Sequence, residues 1–148
     1  MLIKTLKSLF YRDLNGLKTE IASYEQEANI WIVDRGIKNS AGNLCLHLIG
    51  NLQTYIGAEI GKTGYIRNRE AEFTLRDIPR SALLDGIDNT ISIVDQALDK
   101  LNQDDLAATY PILVFDEKTT TEYLLVHLTT HLTYHLGQIN YHRRLLDV

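Results

Sequence analysis

The 148-residue chain has 1 cysteine and 2 prolines, and its 15 Lys+Arg are outnumbered by 19 Asp+Glu. Each scarcity excludes something. A lone cysteine, Cys45, cannot form an intrachain disulfide, so the fold must stand on its apolar core, and the composition fits a reducing compartment. The net charge of -4 provides no basic field for nucleic acid or anionic lipid, and neither is expected as a partner. No apolar run approaches the roughly 20 residues that span a bilayer. Charged residues also break up the start, MLIKTLKSLFYRDLNG, where a signal peptide would need an unbroken apolar stretch. A cytoplasmic protein without a membrane partner is the expectation.

What is present is globular: 45% hydrophobic and 23% charged residues, in a length suited to one domain covering 1–148. Leu2, Leu6, Leu9, Leu14, Leu17, Ile21 and Tyr24 recur at helical spacing and predict a first helix to roughly Glu25. Residues 28–39 have no clear period and read as an extended connection. Ser40 predicts the cap of a second helix carrying Leu44, Leu48, Leu52 and Tyr55 and ending near Gly57. Gly57, Gly61 and Gly64 open a stretch without periodicity, so 57–77 reads as a long loop, a feature that in a small domain tends to serve function. Asp77 and Pro79 read as cap and first turn of a third helix with the stripe Leu84, Ile87, Ile91, Val94, Leu98 and Leu101. A connection containing Pro111 leads to Thr119, Thr120 and Thr121, candidate caps of a fourth helix reaching about Leu146. Four helices with one apolar stripe each predict an all-α four-helix bundle with a long loop between helices 2 and 3.

Four of the 5 histidines, His127, His131, His135 and His142, lie in the last of these helices. Residues four apart on a helix are separated by about 40° and about 6 Å, so either 127 with 131 or 131 with 135 can present two imidazoles to one ion. The leucines around them centre the buried face near His131 and His135 and leave His127 at its margin, which favours the second pair. His142 lies about 10 Å further along the axis from His135, beyond a shared coordination sphere, and reads as a supporting or surface group. His47, mid-way along the second helix, is the one histidine elsewhere and the candidate third ligand. Three protein ligands leave a position open for water or substrate, as in catalytic centres. A lone histidine on an apolar face is more often a hydrogen-bonded core residue, and on the residues alone both readings stand.

Asn51 and Gln138 project close to the candidate ligands on their helices and could orient imidazoles or a bound water. Arg67 and Arg69, in the glycine-rich loop with Glu72, could clamp a substrate carboxylate, or could be solvated loop charges. Tyr134, like Tyr55, Tyr65 and Tyr141, could line a pocket or pack at a rim. No carboxylate falls within a helical turn of a ligand on its apolar side, so no general base is named.

The strings AGNLCLHLIGN and LTTHLTYHLGQINYHRRLL resemble the DinB-like (YfiT-like) metalloenzyme superfamily, which pairs one helical histidine in the first half with HxxxHxGQ near the end. With GYIRNREAEF they look especially like a branch of uncharacterised bacterial DinB-like proteins, and the match covers nearly the whole chain. The resemblance implies a four-helix bundle, often a homodimer, holding one divalent metal ion, zinc or nickel, through residues matching His47, His131 and His135. Three imidazoles would also suit iron. Relatives with an activity are thiol-dependent transferases acting on a small-molecule substrate with a low-molecular-weight thiol, or a related isomerase. A metal-dependent transferase or hydrolase is therefore the first expectation. A non-catalytic metal- or ligand-binding bundle, or a structural protein with core histidines, is the alternative.

Overall fold

In the computed structural model, which describes residues 1–148, the helices in chain order are α1 (Leu2–Ala22), α2 (Ala41–Leu52), α3 (Arg69–Thr74), α4 (Arg80–Leu98), α5 (Gln103–Ala107) and α6 (Thr121–Leu146). The protein is all-helical, with no more than an isolated antiparallel bridge between Thr109 and Thr120. The four long helices form the bundle. α1 packs along α4 and α6, and α2 also contacts both. Leu6, Phe10, Leu14, Leu17 and Ile21 of α1 meet Leu83, Ile87 and Val94 of α4, and Leu125, Leu128 and Leu132 of α6, in one continuous core. Burying these stripes against each other stabilises the helices, since each fully buried aliphatic side chain contributes about 1.5–3 kcal/mol. No helix is long and apolar enough to cross a membrane.

Two caps fall where the sequence puts them. Ser40 accepts the Asn43 N–H at 3.1 Å, and Thr120 accepts the Tyr123 N–H at 3.1 Å. Four local readings need correction. The stretch read as an extended connection contains a 3-10 turn, Glu27–Trp31, which buries Ile30 and Trp31. It forms because Gly42 leaves room for the indole: a Cβ there would lie 2.6 Å from the ring. The long loop is not featureless, since α2 continues as a π-helical turn, Gln53–Ala58, and α3 follows after Gly64. Asn68 starts α3 by accepting the Ala71 N–H at 3.1 Å, with Glu70 and Glu72 in the first turn suiting its dipole. Asp77 is not a cap: its φ of 57° places it in a left-handed turn, and the first N–H of α4, from Arg80, is taken by the distant Glu27 carboxylate. Between the third and fourth bundle helices, Asn102 and Asp105 close a capping box around α5.

His142 is neither on the surface nor beside the other histidines' ring nitrogens. It is 3% exposed, its Nε2–H donates to the Ile32 carbonyl at 2.8 Å, and its Nδ1 accepts the Tyr24 hydroxyl at 2.7 Å. A carbonyl can only accept, which fixes the neutral tautomer. Burial holds the His142 pKa below its ordinary value of 6.5, against an opposing contribution from the Ile32 hydrogen bond. The unfolded chain therefore binds the extra proton first on acidification, so this contribution to stability is complete above pH 6.5 and is lost as pH falls through the folded-state value. His142→Ala strands two buried polar groups and is expected to cost about 2–4 kcal/mol at pH 7. Urea unfolding should show a narrower gap between variant and wild type at pH 5 than at pH 7; an unchanged or wider gap would contradict this account.

Candidate metal centre

Helical phase brings His131 and His135 to the same side of α6, and α2 packs His47 against them. One ring nitrogen from each of the three lies within 4.8 Å of the others. His47 Nε2 and His131 Nε2 approach to 3.2 Å, and the His131 and His135 rings meet edge to face at 4.6 Å between centroids. Two nitrogens bound tetrahedrally to one ion at about 2.0–2.1 Å would stand about 3.3 Å apart, so the separation suits a shared ion. An Nε2–H of one ring donating to the other also meets that distance. The second arrangement gives no role to His135, whose Nδ1 is already engaged.

Two of the rings are oriented from behind. His47 Nδ1–H donates to Glu72 Oε1 at 3.1 Å, and His135 Nδ1–H donates to Gln138 Oε1 at 2.6 Å, which leaves each Nε2 as a lone pair. His131 Nδ1 is buried without a partner. Burial, followed by the neighbouring His135 and His47, pushes the His131 pKa down to about 4, and burial also lowers that of His135. His131 is therefore a neutral base at physiological pH.

Glu72 is the residue that periodicity could not find. It stands on α3, 5% exposed, and its two oxygens accept Arg67 Nε at 2.8 Å and Nη2 at 2.9 Å. Burial favours the neutral acid, yet the hydrogen bonds from His47 and Arg67 outweigh it and hold the carboxyl below the usual carboxylate range. The Arg67 fork is thus committed to the protein's own carboxylate, not to a substrate's. Asn43 pins this segment to α2, its amide donating to the Glu72 and Leu75 carbonyls at 2.9 Å each. Gly50 completes the fit, because a Cβ there would run into the Glu72 carboxylate.

Asn51 lines a cavity of about 300 Å³ together with His47, His131, His127, Tyr55, Arg67, Arg69, Val114 and Phe115. A larger cavity of about 490 Å³ borders His135 and Gln138 and is lined further by Leu44, Tyr141 and Leu145. His127 packs against Phe115 at 4.7 Å and stacks on His131 at 6.3 Å, outside the group of three. Tyr134 is 66% exposed; its ring touches His135 at 5.4 Å but lines a different cleft, with Leu9 and Arg12 of α1. Cys45 is fully buried, and that burial pushes its thiol up to about 12, which makes it a packing residue.

A family model described as Protein of unknown function (DUF1572) matches residues 3–147. No curated protein matches the chain.

Proposed function

The chain belongs to the DUF1572 family, and from that premise and the meeting of three imidazoles we propose that it holds one divalent metal ion between His47, His131 and His135 and acts through it on a small molecule, as DinB-like enzymes do. The observation that carries the reading is the 3.2 Å approach of two Nε2 atoms, one of them on a ring fixed from behind by a buried carboxylate. Zinc or nickel fits the all-imidazole donor set, and iron is accommodated by it as well. When bound, such an ion supplies a Lewis acid that lowers the pKa of a coordinated thiol or water.

The side chains do the rest. Glu72 fixes the tautomer and tilt of His47, Gln138 does the same for His135, and burial keeps His131 unprotonated. Glu72 is not free to act as a general base, since Arg67 and His47 occupy its oxygens. A nucleophile that arrives with its own low pKa when coordinated, such as a low-molecular-weight thiol, suits a centre built this way. A metal-activated water would suit it equally, and thiol transfer ranks above hydrolysis only on the resemblance to DinB-like relatives.

Untagged protein, purified without added metal, is expected to carry about one zinc or nickel per chain by plasma-emission spectroscopy, given three imidazole donors. The loaded protein should then turn over a thiol with an electrophile from a small panel. Absence of metal after incubation with either ion sinks the proposal; full loading without turnover supports the non-catalytic binding module in its place.

A further inference from the structure

Arg69 is a cation at this centre without a counter-charge. Arg67 and Glu72 neutralise each other. Arg69, two residues on at the start of α3, joins no ion pair and no side-chain hydrogen bond; its guanidinium lies over the Phe73 ring, 5.8 Å from the centroid. Phe73 packs in turn on His47 at 4.9 Å. The aromatic face holds the charge beside the histidines without cancelling it.

The cavity that Arg69 lines has a second unmet need. Asn51 is 7% exposed, its side chain makes no hydrogen bond within the protein, and its carboxamide oxygen is buried without a partner. A buried amide left unpaired is costly, and one that lines a ligand-sized cavity is a handle for whatever enters. His47 and His131 line the same cavity of about 300 Å³, which places its contents beside the three-histidine centre, and Val114 and Phe115 give it apolar wall. Of the two guanidinium groups that line the cavity, Arg67 is paired with Glu72, and Arg69 alone has no carboxylate of the protein facing it. That matches one carboxylate.

We propose that this cavity takes a small molecule bearing a carboxylate, anchored by Arg69, while the Asn51 amide meets a polar group of the same molecule nearer the histidines. The subsite presupposes the ion proposed above, and the test separates the two.

The full-length protein is loaded with cobalt, whose visible absorption reports thiol coordination, and titrated with 3-mercaptopropionate and with 2-mercaptoethanol. Wild type is expected to bind the carboxylate probe at least about tenfold more tightly, the scale of a charge-assisted contact. Arg69→Gln should reduce that preference to less than about twofold while retaining cobalt and the affinity for 2-mercaptoethanol. Arg69→Lys, which keeps the charge but not the planar fork, should fall between. Arg144→Gln, at the far end of α6, controls for general charge and should keep the full preference. A preference that survives Arg69→Gln, or is absent from wild type, overturns the subsite and leaves the metal reading standing. Failure to take up cobalt overturns both.

Discussion

Replacing His47, His131 or His135 by alanine is expected to empty the metal centre, and the loss should show in stability as well as in metal content. Three imidazoles converge there, and two hold an ion far less well than three. An ion bound only by the folded state adds about 4 kcal/mol when its free concentration is a thousandfold above the dissociation constant. For a domain of this size that corresponds to a melting temperature about 10 °C higher. Chelation should therefore lower the melting temperature of wild type by about that much and scarcely move the three ligand variants. His127→Ala should keep both the ion and the response to chelator, because its ring sits between Phe115 and His131 outside the converging set. His142→Ala should also keep the ion, but from a lower starting stability, since that ring satisfies the Tyr24 hydroxyl and the Ile32 carbonyl. If the 127 variant loses metal and the 135 variant keeps it, the ligand assignment is wrong.

The convergence of His47, His131 and His135 was legible because it rests on the most regular structure in the chain. Between Thr120 and Leu146 the helix has no interruption, so a fixed rotation per residue puts His131 and His135 on one face beside the buried leucines. His47 followed because its helix is short, well capped and strongly apolar. His142 was misplaced for a related reason: helical phase gives a direction but not what lies there, and the partners at its ring, Tyr24 and the Ile32 carbonyl, come from the irregular segments on either side of the 3-10 turn.

The surroundings of the three histidines were illegible for the opposite reason. Glu72 lies 25 residues from His47 across a segment without periodicity, and its place depends on the Asn43 amide reaching the carbonyls of Glu72 and Leu75. A local signal did exist, since Asn68 followed by Glu70 and Glu72 is the pattern of a capped helix start. Reading it would have found α3, though not the contact. The arginines show the same limit: Arg67 and Arg69 look equivalent in sequence, yet a neighbouring carboxylate neutralises one and leaves the other unpaired. Gly50 carried no signal at all, because its significance lies in the absence of a side chain where Glu72 enters.

Glu72→Gln is the second substitution with a large expected effect, and it separates what the buried carboxylate does for the fold from what it does for the centre. The glutamine keeps the shape but removes the charge that faces Arg67, a side chain only 15% exposed, and a cation left unpaired in such surroundings costs about 2–4 kcal/mol. It also weakens the acceptor behind His47, and loss of a carboxylate in that position lowers metal affinity by about 10–100-fold. Adding Arg67→Gln to Glu72→Gln should recover most of the stability, because no buried charge is then stranded. The metal affinity should not recover, since the anionic acceptor for His47 Nδ1–H is still missing. Gly50→Ala offers an independent route to the same state: its methyl group would displace the carboxylate without altering any charge, so affinity should fall as in Glu72→Gln. Competition with a chromophoric zinc chelator gives the affinities, and urea unfolding of the metal-free proteins gives the stabilities. Wild-type affinity in Glu72→Gln would show that the His47 ring is held well enough without its partner; affinity that returned together with stability in the double variant would show that Glu72 acts on the centre only by keeping the fold intact.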